Sequence, residues 1–322
     1  MARLPAKRRP YKELTFQQLR SFSETARLGS LAAAAKAIGL THPTVREQVL
    51  ALQSEFRVKL VEPHGRGCRL TSEGRMLAEL IAPIINSTAA LRQRFEQIRA
   101  AAVTRLVVAS TPRIFQEDLP PAIEKFLTAN PRVRLTFLEL RDGQIAEAIE
   151  AGDADFGITT QSLAHPAPPG LRFEPGYELD TLLVTAKNHP LARKRSVVPA
   201  DLRRYPLISS QHTFSDEPEI TALLDRTRIF EGPTPLVEPV LAATVRTYVE
   251  RNFGIALLYG QPTRRPQSTL HERSMSRHFG RIAVRFIFRS GTANEQLVQS
   301  LATTIRGCHP ASGRAKASPR SR

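Results

Sequence analysis

The chain has 322 residues, enough for two or three domains, and its 41% apolar and 24% charged content is that of an ordinary soluble protein. No apolar run approaches the roughly 20 residues needed to cross a bilayer, and the basic start MARLPAKRRPYK is followed by no apolar stretch or cleavage site. The two cysteines, Cys68 and Cys308, are too few for a disulfide framework or thiolate metal site. A cytoplasmic chain with reduced thiols, no membrane partner, no metal and no cofactor is expected. The net charge is +16, and the ends carry much of it: Arg3, Lys7, Arg8, Arg9 and Lys12 in an arm over 1–13, and Arg314, Lys316, Arg320 and Arg322 in a tail over 309–322. Such tails suit a polyanion partner, and equally suit disordered solubilising ends.

Phe16, Leu19, Phe22 and Thr25 to Ala26 have amphipathic helical spacing. The stretch GSLAAAAKAIGLTHPTVREQV then predicts two helices around a short corner. Ser30 is a candidate N-cap, Ala32 to Ala35 let a second backbone approach closely, and Gly39 suits the left-handed residue that ends a helix. Thr41 can cap the next helix, with Pro43 in its first turn. Val45, Val49, Leu52 and Phe56 form its inner face, and His42, Thr44, Arg46, Glu47 and Gln48 lie opposite. This is a helix-turn-helix whose polar N-terminal face suits the major groove, where Arg and Gln make bidentate bonds to base edges. An ordinary helical hairpin with a solvated face has the same pattern. In KLVEPHGRGCRLTSEG, Leu60-Val61 and Arg69-Leu70 predict two short strands turning at Gly65 and Gly67. The product is a wing, with Arg66 and Arg69 placed to reach phosphates.

Residues 14 to 75 resemble the winged helix-turn-helix of LysR-type transcriptional regulators. The resemblance rests on Phe22 with Ala26, Gly29-Ser30, Ala34-Ala35, Leu40-Thr41-His42-Pro43, Val45, Gln48, Leu52, Leu60, Glu62, Gly65-Arg66 and Arg69-Leu70-Thr71. Four residues depart from the family pattern: Arg46 stands where serine is usual, Glu47 where a basic residue is common, Arg57 where glycine follows the recognition helix, and Pro63 where arginine is usual. The departures fall on the groove-facing surface and its edges, so they bear on the base sequence read, not on the domain. The DNA-binding candidates are His42, Pro43, Thr44, Arg46, Glu47, Gln48, Arg66 and Arg69.

A long helix is expected over 72–102, interrupted or kinked at Pro83. Leu77, Ile81, Ile84, Thr88, Leu91, Phe95 and Ile98 alternate steps of four and three, a heptad seam. The seam packs either on its own domain or on a second helix. The resemblance implies the second: a linker helix that dimerises through Leu77, Ile81, Ile84, Leu91, Phe95 and Ile98.

From Thr104 strands alternate with helices. TRLVVAS, Arg132 to Leu140, and the segment turning at Gly152 into Ile158 read as strands; Thr111 to Phe126 and Ile145 to Ala151 read as helices. LDTLLVTAKNHPLA, VVPADLRRYPLISS, Leu236 to Tyr248, NFGIALLYG, Arg281 to Arg289 and Asn294 to Arg306 continue the alternation, which predicts a mostly parallel sheet covered on both faces. This half is similar to the LysR effector domain, itself related to periplasmic solute-binding proteins. The matches include Pro120, Phe126, Pro131, Val133, Gly152-Asp153, Asp155, Ile158, His189-Pro190-Leu191, Leu202, Pro206-Leu207-Ile208 and Gly254 to Leu258.

The predicted fold is therefore an α+β multidomain chain: winged helix-turn-helix over 14–71, linker helix over 72–102, and an α/β periplasmic-binding-protein-like effector domain over 103–308, its second subdomain about 166–262. The resemblance implies double-stranded DNA, a second copy of the chain as dimer or tetramer, RNA polymerase and a small-molecule effector as partners. Ligands of parallel sheets sit beyond the C-terminal strand ends. That rule selects Ser110, Thr111, Pro112, Arg141, Ser209, Ser210, His212, Phe253 and Gly254, with the hydroxyls, helix N–H groups and Arg141 suited to an anion. Ser110 and Thr111 equally serve as helix caps. Enzyme signatures are near misses: Ser209-Ser210-Gln211-His212 lacks a buried acid, and His271-Glu272 lacks the second histidine of a zinc protease helix. No catalytic residue is expected. The alternative is an architectural DNA-binding protein that needs no effector.

Overall fold

The computed structural model describes residues 14–65, 67–92, 95, 103–160, 168–208, 218–237, 239, 242–262 and 269–309. They fall into two compact units, one of Met1–Ala102, Ala167–Arg172 and Arg289–Glu295, the other of Val103–Pro166, Phe173–Phe288 and Gln296–Arg322.

In the first unit, short-range capping sets three helices. α1 (Phe16–Leu28) opens on Thr15, whose hydroxyl accepts the Gln18 N–H while the Gln18 side chain accepts the Thr15 N–H, and closes on Gly29 at φ 61°. α2 (Leu31–Ile38) runs from a Ser30 cap to Gly39 at φ 71°. α3 (His42–Phe56) is capped by Thr41, carries Pro43 in its first turn, and ends on Arg57 at φ 56°, where glycine would be unstrained. Phe22, Ala34, Ala35, Val45, Val49, Leu52 and Leu60 are buried together with Leu77, Ala78 and Ile81 of α4 (Ser72–Ala89). The wing is the antiparallel pair β1 (Val61–His64) and β2 (Gly67–Leu70), with Val61 opposite Leu70. The Cys68 N–H donates to the Gly29 carbonyl at 2.8 Å, and a Cβ on Gly67 would stand 2.4 Å from the same oxygen. The wing is thereby fixed against the corner between α1 and α2.

α4 passes through Pro83 without dividing. Proline has no N–H, so the Glu79 carbonyl loses its helical donor there. Two other segments of this unit close on the same turn. Gly170 (φ +86°) lies over Ala82, Gly291 (φ +79°) lies over the Pro83 carbonyl, and the Asn86 amide donates to the Ser290 carbonyl at 2.8 Å.

The family resemblance implies that Leu77 and Ile81 belong to a dimerisation seam; the structure instead gives them the other packing the spacing allows, on their own domain. They are 9% and 2% exposed in the core of their own unit, because that face of α4 lies on α1. Among the described residues of 72–95, the large apolar side chains left in solvent are Met76, Leu80, Ile84, Leu91 and Phe95. Ile98 lies outside the described residues.

The second unit holds a mixed sheet. β3 (Thr104–Ser110) pairs in parallel with β4 (Val133–Glu139) and β5 (Phe156–Thr159). β6 (Leu171–Ala186) pairs antiparallel with β7 (Ala256–Gly260) and β8 (Leu270–Ser274), and β9 (Arg281–Arg289) runs antiparallel to β5. The order is β4-β3-β5-β9-β6-β7, with β8 on β6. The expected mostly parallel sheet is thus parallel only in its first three strands. β9 brings the chain back from the second half, so it must run against β5.

The expected helix from Thr111 to Phe126 is broken into a π-turn at Ile114–Asp118, closed by the Leu119 N–H on the Ile114 carbonyl at 3.1 Å, and α5 (Pro120–Ala129). Pro120 and Pro121 carry no N–H and force the restart. The remaining helices are α6 (Asp142–Ala151), α7 (Pro190–Arg193), α8 (Pro199–Leu202), α9 (Pro218–Thr227), α10 (Ala242–Glu250), α11 (Ser276–Phe279) and α12 (Glu295–Cys308). The strand expected around Leu207 is reduced to a single parallel bridge to Ile255. Phe126, Phe156, Phe279 and Phe286 are fully buried, and Phe156 meets Phe286 edge-on at 5.2 Å.

Candidate nucleic-acid interface

The N-terminal end of α3 presents His42, Pro43, Arg46 and Glu47 in the open, with Thr44 half-buried. The Thr44 hydroxyl lies 2.8 Å from that of Thr41, so it is already engaged in the cap. Among the described residues neither Arg46 nor Glu47 has an ion pair, which leaves both side chains available to a ligand. The unsatisfied N–H groups of the first turn add a partial positive charge at the same end. Gln48 is different. Its carboxamide oxygen takes the hydroxyl proton of buried Ser21 on α1, so this side chain braces α3 on α1 and does not face out with Arg46. On the wing, Arg69 donates to Glu62 across the strand pair at 2.7 Å, an exposed contact that a phosphate can displace at little cost. Arg66 lies outside the described residues.

The effector candidates fall into two groups. Ser110 ends β3, its carbonyl accepts the Leu140 N–H, and Arg141 follows β4 as an exposed residue. Thr111, Pro112 and Arg141 therefore share one end of the sheet, as expected. Ser110 does not join them. It is fully buried and its hydroxyl donates to the Ile158 carbonyl at 2.8 Å. An unforeseen acid also sits here. Asp142 accepts the Thr159 hydroxyl at 2.7 Å and the Thr160 N–H and hydroxyl at 2.9 and 3.0 Å. The carboxylate occupies donors that an anion would need, which weakens the case for an anionic effector. In the second group, Phe253 is 39% exposed, and Gly254 is buried where a Cβ would stand 2.3 Å from the Pro206 carbonyl. Ser209, Ser210 and His212 lie outside the described residues.

A polar network that the sequence reading missed joins the two halves of this unit. Arg113 grips Asp118 through two bonds of 3.1 Å, and the Tyr177 hydroxyl donates to Asp118 at 2.8 Å. Burial, reinforced by Asp118, pushes the Tyr177 phenol well above its ordinary pKa. Glu117, on the same turn, takes two bonds from Arg246 of α10 at 2.8 and 3.1 Å, and Arg246 also donates to Glu272 of β8. The i,i+4 spacing of Arg113 and Glu117 is visible in the sequence, but their long-range partners are not.

The geometry has a wide kinship. Residues 16–75 match the family of bacterial regulatory helix-turn-helix proteins of the lysR type, and residues 99–307 match the LysR substrate-binding domain. The chain belongs to the LysR family of transcriptional regulators. It is a DNA-binding regulator with an effector-binding domain. Among LysR relatives, the regulator CysB of Burkholderia cenocepacia is 27% identical over 76% of this chain and 78% of its own length. SsuR of the same organism is 28% identical over 76% of this chain and 79% of its own. The solved structure of the LysR regulator CbnR has the same fold at a TM-score of 0.52, with 20% identity over 92% of this chain and 99% of that one.

Proposed function

We propose that this regulator binds operator DNA as a dimer or tetramer, through His42, Pro43, Thr44, Arg46 and Glu47 of α3, with Arg66 and Arg69 of the wing on phosphates. The single observation that carries this reading is the exposed Arg46 at the N-terminus of a capped recognition helix, without an ion pair among the described residues. A solved CbnR complex with its target DNA, 22% identical over 90% of this chain, shares the fold and lends the reading support. Oligomerisation runs through the exposed face of α4 and the segment after it, where Ile84 of α4 and Leu91 and Phe95 beyond its end, all of the expected seam, are joined by Met76 and Leu80. We place the DNA-binding domain at 14–71, the linker at 72–102 and the effector domain at 103–308. The effector lies beyond the strand ends, near Thr111, Pro112 and Arg141 and near Phe253 and Gly254. It acts by linkage, binding one arrangement of the oligomer more tightly than another and so changing what RNA polymerase meets at the promoter. The site of action is the cytoplasm; among the described residues no helix is long and apolar enough to cross a membrane. No catalytic role is proposed.

The test is a melting screen of full-length protein with small metabolites. A ligand that raises the melting temperature and also alters the DNA complex supports effector control, because only binding to the folded state stabilises it. Ligands that leave both unchanged, with DNA binding intact, favour an architectural protein that needs no effector.

A further inference from the structure

The positive charge of the second unit is uneven along the sequence. Residues 103–160 carry six Lys or Arg against nine Asp or Glu, whereas residues 187–204 carry Lys187, Arg193, Lys194, Arg195, Arg203 and Arg204 against the single acid Asp201. All six cations are exposed. The fold brings their two runs together. Lys194 follows α7 and sits 2.6 Å from Asp201 of α8, two residues before Arg203. From β8, Arg273 donates to the Arg195 carbonyl at 3.1 Å and to the Lys194 carbonyl at 2.6 Å. The backbone beneath the cations is therefore tied to the sheet, which lowers the entropy lost when a ligand binds them.

The one acid does not cancel the patch. Lys194 and the Val198 N–H hold the Asp201 carboxylate below its ordinary pKa, so it stays charged but already committed to its own neighbours. Among the described residues Arg193, Arg195 and Arg203 have no ion pair. Charge kept only for solubility would be spread over both halves of the unit. Here one half is acidic and the other concentrates arginine, the cation whose planar fork matches a phosphate.

We propose that the patch of Arg193, Lys194, Arg195, Arg203 and Arg204 is a second DNA contact, on phosphates flanking the site read by α3. The proposal rests on the DNA-binding reading above. Such contacts carry no base information but lengthen the bound segment and steepen its salt dependence.

The experiment compares full-length wild type with R193Q/R195Q/R203Q/R204Q, using fluorescence anisotropy over a salt series. One duplex is short and holds only the half-site; the other extends it by several helical turns. On the long duplex the variant loses roughly 2 to 4 units of the slope of log affinity against log salt, at about 0.9 per phosphate contact. On the short duplex it matches wild type. R193K/R195K/R203K/R204K, which keeps the charge, keeps the wild-type slope on both and shows that the arginine positions tolerate change. Equal slopes for wild type and the glutamine variant on the long duplex overturn the proposal, as does equal loss on both duplexes. Unchanged DNA binding with lost activation in a purified transcription reaction also overturns it, and points to an acidic protein instead. Wild type failing on both duplexes would instead remove the DNA-binding reading itself.

Discussion

Arg46 and Arg69 are both exposed arginines on the DNA-binding unit, but their surroundings differ. Arg46 projects from the start of α3 with no internal partner among the described residues, the position from which a guanidinium reaches base edges. Arg69 sits on the wing beside Glu62. Arg46→Ala is expected to cost about 1–3 kcal/mol on the operator and much less on random DNA. Arg69→Ala is expected to weaken both alike and to lower the salt slope by about one. Competition binding with specific and random duplexes separates them; equal loss for Arg46→Ala on both would remove its reading role. His189 makes a pH prediction. Its Nδ1 accepts the Leu191 N–H at 3.2 Å, and its ring meets Tyr205 at 4.5 Å. Burial lowers its pKa below the ordinary 6.5. The unfolded chain then takes up a proton at higher pH than the folded one, so stability declines as pH falls through 6.5 toward the folded value. Urea midpoints at about pH 7.5 and about pH 5.5 should show a smaller acid loss for His189→Asn, which keeps a capping acceptor, than for wild type. The role of Gln48 was not legible in the sequence. It shares the polar face of α3, and only Ser21, far back in the chain, reveals that it is held inward.

At the level of elements, α4 shows what a periodic pattern leaves out. Steps of four and three locate an apolar helix but do not say which face its own domain claims. Here the domain takes Leu77 and Ile81, and the neighbouring stripe of Met76, Leu80 and Ile84 is left in solvent. Leu77→Ala should cost about 2–5 kcal/mol by opening a cavity in the first unit. Leu80→Glu with Ile84→Glu should leave the fold intact and yield monomers in sedimentation; a dimer surviving both changes would place the interface elsewhere. The crossing at Pro83 gives a second test. Gly291→Ala puts a methyl 2.4 Å from the Pro83 carbonyl at a positive φ and should destabilise by about 1–3 kcal/mol, measured as a urea midpoint. Gly143→Ala, with nothing within 4 Å, should be neutral or stabilising. By contrast, α1 to α3 were legible almost residue by residue, because Ser30, Gly39, Thr41 and Pro43 act on backbone groups only a few residues away.

Across the whole molecule, the alternation of strands and helices conveyed the α/β character of the second unit but not its mixed sheet. That depends on where β9 re-enters, a long-range fact. The same limit hid the network of Arg113, Asp118, Tyr177, Glu117, Arg246 and Glu272, which joins segments far apart in the chain. It also hid Asp142, whose bonds to Thr159 and Thr160 change what the strand ends can bind. The central claim concerns the assembled regulator on DNA, and a footprint of the DNA immediately upstream of its own gene, taken over a salt series, tests it most directly. Protection spanning several helical turns, with affinity falling steeply as salt rises, is the predicted result for a multimer bound through many phosphates. Absence of protection there, with no salt-sensitive binding to any duplex, would contradict it.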